Sequence, residues 1–115
     1  MNRPIPNRGE VWLVDLGETR GHEQAGIRPS VVVSTDGFNS GPTNLAVVVP
    51  FTTRRRGTPL HVRVLPPEGG VRRTSFIKCE DIRSIALERL IERWGQFSDR
   101  TMALVEDRLR ALLEL

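Results

Sequence analysis

Two polar stretches of the chain carry side chains that could act together on a phosphate group. The first, residues 17–28, contains the carboxylate of Glu23 and the guanidinium of Arg28, and the second, residues 52–58, begins with Thr52. An arginine and a hydroxyl suit a phosphodiester, because the guanidinium clamps the non-bridging oxygens and stabilises charge that develops in the transition state. RNA would supply its own nucleophile, the 2′-hydroxyl, and would leave positioning, charge neutralisation and proton transfer to the protein.

Each of these three residues has a catalytic and a structural interpretation. A guanidinium stays protonated at neutral pH, so Arg28 is expected to stabilise the transition state rather than act as a base. Alternatively, Arg28 pairs with Glu23 and stiffens the loop. Thr52 would donate a hydrogen bond to the phosphate or simply cap a turn. Glu23 is a more natural general base than Arg28. It is interpreted equally well as a solvated carboxylate in a loop.

The basic charge of the chain predicts a polyanionic partner. Of the 17 basic residues only one is lysine, and arginine suits bidentate contacts with phosphate. Residues 1–79 hold 11 basic and 6 acidic side chains, a net charge of +5, whereas residues 80–115 hold 6 and 8, a net charge of −2. The run Arg54–Arg56 is expected to contact an RNA backbone, with a solvated basic turn as the alternative.

The remaining reactive side chains predict no metal site and no cofactor. His22, His61 and Cys79 are the soft metal ligands of the chain, and their spacing does not suggest a shared ion. The sequence contains neither a glycine-rich nucleotide-binding loop nor a serine-hydrolase elbow. Cys79 follows an apolar run and is expected to be a small buried residue.

The length and the N-terminal sequence predict one domain, residues 1–115, in the cytoplasm. No apolar run approaches the roughly 18 residues that a membrane span needs. The first residues lack the apolar segment of a secretory signal, and a single cysteine cannot form an internal disulfide. We therefore expect no association with membranes.

The apolar pattern predicts short strands followed by one helix. Residues 1–8 are expected to form a flexible N-terminal arm, and residues 36–44 a long loop rich in turn formers. The helix, residues 98–114, would begin at the N-cap candidate Ser98 and bury one apolar face, formed by Met102, Val105, Leu109 and Leu112. Strands are expected at 9–16, 30–35, 45–51, 60–65 and 74–79, with 81–85 as an extension or a sixth strand and a further short strand at 91–97. This order favours a mainly β fold with a C-terminal helix (β/α+β), as a small antiparallel barrel or strongly bent sheet.

Several motifs, in this order and spacing, resemble the MazF/PemK family of toxin endoribonucleases. They are Arg8-Gly9-Glu10-Val11-Trp12, Gly21-His22-Glu23-Gln24-Ala25-Gly26-Ile27-Arg28-Pro29 and Val49-Pro50-Phe51-Thr52-Thr53. Residues 81–85 and the terminal helix also fit, so the resemblance covers nearly the whole chain, from about Arg8 to Leu115. No one motif would be sufficient, but the combination is specific.

The resemblance implies a small SH3-like antiparallel β-barrel of five to six strands, of the CcdB/MazF kind, that forms a homodimer. It implies the toxin of a type II toxin–antitoxin system, an mRNA interferase that cuts single-stranded RNA at short sequences without a metal and inhibits translation and growth. The products would carry 2′,3′-cyclic phosphate and 5′-hydroxyl ends. The substrate would be mRNA, with tRNA or rRNA as alternatives. A cognate antitoxin would thread an acidic segment across the dimer and block both sites.

The same resemblance assigns roles to single residues. The family's catalytic arginine corresponds to Arg28, its catalytic threonine to Thr52 and the acidic residue of its first loop to Glu23. Further RNA-binding candidates are His22, Gln24, Thr53, Arg54, Arg55, Arg56 and Asp81. Two positions depart from the family. His22 stands where serine is common, which suggests either a second proton carrier or a histidine bonded to the backbone, and Asp81 stands where many members carry glutamine, which would alter contacts with RNA.

Two other functions fit the same fold. A non-catalytic barrel of this kind would bind RNA or an antitoxin without cutting, and a CcdB-like toxin would act on DNA gyrase. Arg28 and Thr52 in their motif settings argue against both, because a non-catalytic relative would be free to lose them.

Overall fold

Seven strands, a long C-terminal helix and several short helical turns make up the structure, a computed structural model that describes residues 4–115. The strands are β1 (Glu10–Asp15), β2 (Ile27–Val32), β3 (Leu45–Thr52), β4 (His61–Val64), β5 (Ser75–Lys78), β6 (Arg83–Ala86) and β7 (Leu90–Gln96). The helices are α1 (Asp36–Asn39) and α2 (Asp99–Leu113), and single turns of 3₁₀-helix occupy Glu68–Gly70, Cys79–Asp81 and Leu87–Arg89. The predicted mainly β fold with a C-terminal helix is confirmed.

All strand pairs are antiparallel, in the order β4-β5-β3-β2-β1-β7, and β6 pairs with the first half of β3. Within the described chain, β4 and β7 end this path without pairing to each other, so the sheet is open. The sheet is thus a strongly bent open sheet of seven strands, where a barrel or strongly bent sheet of five to six strands was expected. The turn at Cys79–Asp81 separates β5 from β6, and β7 pairs with β1 as a seventh strand.

Apolar side chains pack on both faces of the bent sheet. The larger cluster lies between the sheet and α2 and has Phe51, Ile77 and Val105 at its centre. The Phe51 ring stacks on the ring of Phe97, with 5.5 Å between centroids. The second cluster uses the alternate residues of β2 and β3, such as Val48. Successive residues of a strand point to opposite faces of the sheet. Strands that have an apolar core on each face therefore need apolar residues at consecutive positions, and the valine runs of β2 and β3 supply them.

Helix α2 begins and ends close to the predicted positions. The Ser98 hydroxyl accepts a hydrogen bond from the Thr101 N–H and caps the N-terminus, and Glu114 follows the last turn. Met102 and Val105 are buried, as predicted for the apolar face, whereas Leu109 is only partly covered. Within residues 4–115, no helix has the length and apolar character needed to cross a membrane.

The segment before β1 packs on the sheet. Residues 1–3 of the expected flexible arm lie outside the described residues. Pro6 is fully buried, and its carbonyl accepts a hydrogen bond from the Asn39 amide at 3.1 Å. The Arg8 N–H donates to Asp36 at 2.6 Å, and its guanidinium reaches Glu106 on α2 at 2.5 Å. From Pro6 to Arg8 the chain is therefore docked rather than loose.

Two predicted loops are shorter in the structure. Residues 36–44 contain α1, whose first turn is capped by the Thr35 hydroxyl. Strand β2 begins at Ile27 instead of Ser30, because residues 27–29 already pair with β1. Arg28 therefore lies on a strand, where its position is set by the sheet and not by the preceding loop.

The carboxylate of Glu68 holds the start of α2 and gives the fold a pH dependence. It accepts hydrogen bonds from the Thr101 hydroxyl at 2.6 Å and from the Ser98 N–H and hydroxyl, each at 3.1 Å. Burial by itself raises the pKa of Glu68, but these hydrogen bonds outweigh it and lower the pKa below the ordinary 4.5. Because the pKa of Glu68 is lower in the folded chain than in the unfolded chain, its stabilisation of the fold is complete at pH values above the unfolded-state pKa. The stabilisation is lost as the pH falls through the folded-state pKa.

We expect Glu68→Gln to lower the free energy of unfolding by about 1 kcal/mol at neutral pH, because the charged acceptor is removed from the helix start. The difference from wild type should shrink as the pH falls below 4.5. Urea unfolding curves over this range measure it. The control is Glu92→Gln, at an exposed position on β7. Its free energy of unfolding should change with pH in the same way as that of wild type. A Glu68→Gln deficit that stays constant down to the acid limit would contradict the role of the carboxylate.

Candidate active site

The pairing of β2 with β3 brings Arg28 and Thr52 to the same end of the two strands. The paired residues are Ser30 with Pro50, then Val31 with Val49 and Val32 with Val48. The pairing ends at Ser30 and Pro50, and Arg28 and Thr52 each lie two residues beyond this pair on their strands. Because residues two apart on a strand share a face, both side chains leave the same side of the sheet. The two residues, 24 positions apart in sequence, therefore meet at the end of one strand pair.

A cavity of about 610 Å³ lies over this point. Most of the predicted site residues line it, together with parts of the neighbouring strands: Gly21, His22, Glu23, Gln24, Arg28, Pro29, Phe51, Thr52, Thr53, Arg54, Arg56 and Ser75. Three guanidinium groups and one carboxylate give the cavity a positive charge, which favours a polyanion. Of the predicted residues, Arg55 and Asp81 lie outside this lining.

Arg28 is exposed and is free to bind a ligand. Its guanidinium forms no hydrogen bond or ion pair with the residues that the structure describes. The predicted ion pair between Arg28 and Glu23 does not form. Instead, Oε1 of Glu23 accepts a hydrogen bond from the Arg20 N–H at 3.2 Å. An exposed guanidinium without a protein partner has all five of its N–H donors available for a phosphate.

Thr52 caps a turn, as its structural interpretation predicts, and keeps its own proton. The side chain is mostly buried, and Oγ1 accepts the Arg54 N–H at 3.1 Å, which caps the turn after β3. A hydroxyl has one proton to donate and two lone pairs. Because the cap uses only a lone pair, the O–H remains a donor at the edge of the cavity.

The loop between β1 and β2 is closed at its base by backbone hydrogen bonds. Gly26 accepts from the Leu16 N–H and donates to Gly17, each at 2.9 Å. Both glycines have positive φ, 70° at Gly17 and 74° at Gly26, which other residues adopt only with strain. The Thr19 hydroxyl donates to the Glu23 carbonyl at 3.0 Å, so the tip is also folded on itself.

A buried ionic cluster below the loop holds the backbone on each side of Glu23. Asp81 accepts the Gln24 N–H at 2.7 Å and the Arg83 guanidinium at 2.6 Å, and Arg83 also donates to the Gln24 carbonyl at 3.0 Å. The Lys78 ammonium donates to the His22 carbonyl and lies 3.9 Å from Asp81. Both carboxylate oxygens of Asp81 are engaged, so this residue positions the loop from below.

Sequence reasoning did not identify Lys78 or Arg83 as part of the site. A signal was present for Lys78, the single lysine of the chain, which stands at the end of an apolar strand. A buried ammonium needs paired or hydrogen-bonded partners. For Arg83 no local signal exists. Its contact with the Gln24 carbonyl spans 59 residues and depends on the tertiary fold, and only its other partner, Asp81, is close in sequence.

The other reactive groups lie apart from the cavity. Burial raises the pKa of the Cys79 thiol to about 12, and the nearby Glu80 carboxylate adds to the shift. This thiol is therefore protonated and unreactive at neutral pH, as expected for a small buried residue. No cluster of three or more metal-ligating side chains occurs among residues 4–115.

Comparisons with known proteins identify relatives of this chain over nearly its whole length. The chain is 37% identical over 113 residues to endoribonuclease MazF9 of Mycobacterium tuberculosis, covering 94% of this chain and 96% of that protein. It is 32% identical over 112 residues to endoribonuclease EndoA of Bacillus subtilis, covering 96% and 97%. Among solved structures, MazF from Deinococcus radiodurans matches with a TM-score of 0.85 at 27% identity, covering 97% of this chain and 99% of that chain.

A mycobacterial endoribonuclease solved in complex with its cognate antitoxin matches with a TM-score of 0.79 at 28% identity, covering 96% of each chain. The family described as PemK-like, MazF-like toxin of type II toxin–antitoxin systems matches residues 7–113. This match includes β1 to α2 and every residue of the cavity. The chain therefore belongs to the PemK-like, MazF-like toxins of type II toxin–antitoxin systems.

Proposed function

We propose that this toxin is a sequence-specific, metal-independent endoribonuclease that cleaves single-stranded RNA. The observation that carries the proposal is that Arg28 and Thr52 line one positively charged cavity, at the same end of β2 and β3. Two relatives of 37% and 32% identity are named endoribonucleases, which supports the same activity here. By cutting mRNA in the cytoplasm, the toxin would inhibit translation and growth.

The chemistry is an internal displacement at phosphorus. The 2′-oxygen attacks the adjacent phosphorus, so an O2′–P bond forms as the P–O5′ bond breaks, leaving a 2′,3′-cyclic phosphate and a 5′-hydroxyl. Arg28 binds the non-bridging oxygens, whose negative charge grows in the transition state, and Thr52 donates a hydrogen bond to the same group. Glu23 accepts the 2′-hydroxyl proton, and His22 is the candidate donor of the proton that the leaving 5′-oxygen needs.

A cognate antitoxin with an acidic segment is the proposed protein partner. Charge supports this, because the cavity presents three guanidinium groups on a face where RNA would also bind. Solved relatives include toxins in complex with antitoxins, among them a MazE–MazF complex from Deinococcus radiodurans. An acidic segment laid across the cavity would compete with RNA for Arg28 and so inhibit cleavage.

A homodimer is the proposed assembly. Near the end of α2, an open groove of about 490 Å³ runs between the helix and the sheet, with Val47, Ile82 and Leu109 among its lining residues. Leu113 and Leu115, at its edge, are 51% and 84% exposed. Contiguous large apolar side chains on a surface mark an interface, and a second copy of the chain would cover them.

The test of this function is cleavage of a mixed-sequence RNA in excess EDTA, with identification of the product ends. Wild type should cut at short defined sequences and leave 2′,3′-cyclic phosphates. Thr52→Val should lower the cleavage rate about 10- to 100-fold, because a hydrogen bond to a charged group, worth about 1.5–3 kcal/mol, is lost. Thr52→Ser, which keeps the hydroxyl, is the matched control and should retain most activity.

Other outcomes would favour the alternatives. Tight RNA binding without cleavage would identify a binding module. Growth arrest that persists in an Arg28→Ala strain and is accompanied by DNA damage would identify a gyrase-directed toxin. Cleavage that needs an added divalent ion would overturn the metal-independent mechanism.

A further inference from the structure

The transverse row of side chains that contains Arg28 and Thr52 continues across two more strands. Thr52 on β3 pairs with Phe76 on β5, and Phe76 pairs with Arg63 on β4. Directly opposed residues of an antiparallel pair point to the same face of the sheet. The row Arg28–Thr52–Phe76–Arg63 therefore lies on one face and crosses four strands.

This face is the outer one at the β3–β5–β4 end of the sheet. The next row inward, Phe51–Ile77–Val62, belongs to the core under α2 and is at most 3% exposed. Since side chains alternate along each strand, the row of Phe76 must point away from this core. Phe76 is accordingly half-buried and Arg63 exposed.

A second cavity, of about 450 Å³, lies over the outer half of the row. Its lining contains an aromatic ring, two guanidinium groups, two hydroxyls and no carboxylate: Arg55, Gly57, Thr58, His61, Arg63, Thr74 and Phe76. The imidazole of His61, only 3% exposed, is held at the back of this cavity by Glu80, with 3.0 Å between Nε2 and Oε2. Its composition suits a nucleotide, with the ring for a base and guanidinium groups for phosphates.

The two cavities are neighbours on the sheet, because Thr52 of the first pairs with Phe76 of the second. Strands lie about 4.8 Å apart, so Phe76 is about 5 Å and Arg63 about 10 Å from Thr52 across the sheet. The turn after β3 connects the cavities, because Arg54 and Arg56 line the first and Arg55 lines the second. A single strand of RNA that leaves the Arg28–Thr52 site along this row would bring its next nucleotides over Phe76.

We propose that Phe76, Arg63 and Arg55 form a second RNA subsite, in which a nucleotide next to the scissile phosphate stacks on Phe76 and its phosphates contact the two arginines. This inference rests on the proposed ribonuclease function and extends it to the length of RNA that the protein binds. Stacking on an aromatic ring tolerates every base. The subsite therefore contributes affinity for single-stranded RNA and leaves base selection mainly to the first cavity.

The experiment compares two substrates that share one mapped cut site. One is an RNA of about ten nucleotides and the other is the dinucleotide at the cut. For wild type, the ratio of kcat/KM between the long and the short substrate measures what the flanking nucleotides contribute. Phe76→Leu, which keeps apolar volume but removes the aromatic face, should lower this ratio about 5- to 150-fold, the range for loss of one stacked base. The loss should appear in KM.

Arg63→Gln should change how strongly the affinity for RNA depends on the salt concentration. With the long RNA made uncleavable by a 2′-deoxy sugar at the attacking position, the slope of log Kd against log salt should fall by about 0.7, the value for one lost phosphate contact on a single strand. Arg100→Gln makes the same charge change on α2, away from both cavities, and should leave the slope at the wild-type value.

The outcomes separate this inference from the function on which it rests. If wild type cuts neither RNA, the ribonuclease proposal fails. The second subsite is overturned if wild type cuts and Phe76→Leu leaves the ratio of kcat/KM between the long and the short substrate at the wild-type value. An equal loss of kcat/KM for both substrates leaves that ratio unchanged and has the same meaning. If Phe76→Leu and Arg63→Gln weaken binding of a poly-glutamate peptide but not of the long RNA, the surface binds an acidic protein segment and the RNA assignment is likewise overturned.

Discussion

Replacing Arg28 with alanine is expected to lower the rate of RNA cleavage about 10²- to 10³-fold, the usual cost of removing one preorganised donor to a developing oxyanion. The side chain of Arg28 is exposed, forms no hydrogen bond or ion pair with the rest of residues 4–115, and lines the same cavity as Thr52. Its removal should therefore change the free energy of unfolding by no more than about 0.5 kcal/mol. Single-turnover cleavage and urea unfolding measure the two effects.

Arg28→Lys is the matched control, because it keeps the charge and loses the planar pair of donors. A lysine acts as a point charge on phosphate, so this variant should cleave faster than Arg28→Ala and slower than wild type. Equal rates for all three proteins would remove Arg28 from the catalytic machinery. An unfolding free energy that drops by several kcal/mol in Arg28→Ala would instead assign it a structural role.

Replacing Asp81 with alanine is expected to lower the free energy of unfolding by about 3–5 kcal/mol, the cost of breaking a buried ion pair from one side. The side chains of Asp81 and its partners Lys78 and Arg83 are only 8%, 10% and 18% exposed. Without the carboxylate, two cations are left close together in a poorly hydrated site, and the Gln24 N–H loses its acceptor. Chemical unfolding at neutral pH measures this loss.

The same substitution should also loosen the loop that carries Glu23. Amide hydrogen exchange at Gln24 should become faster in Asp81→Ala, under conditions where the core strands are still protected. Asp81→Asn, which is isosteric and keeps an acceptor oxygen, should fall between wild type and alanine in both measurements. If Asp81→Ala is as stable as wild type and the Gln24 amide exchanges at the wild-type rate, the ionic cluster does not hold the loop.

The sequence by itself determined the features that depend on local preference. Runs of β-branched residues predicted β2 and β3, and Ser98 followed by apolar residues at helical spacing predicted α2, because these signals act over a few neighbouring positions. The chemical types of Arg28, Thr52 and Glu23 also indicated phosphodiester chemistry. The motifs around them indicated the family that the comparisons show.

Only the tertiary structure decided how these residues are placed together, because strand register and loop anchoring arise from contacts far apart in sequence. The register of β2 on β3 brings Arg28 and Thr52 to the same end of the two strands, and the register of β5 on β3 pairs Phe76 with Thr52. The link from Asp81 to the Gln24 backbone spans 57 residues, so no local pattern could have predicted it. Asp81, a predicted RNA contact, thus also supports the loop that carries Glu23, because a buried carboxylate is stable only where hydrogen-bond donors and cations surround it.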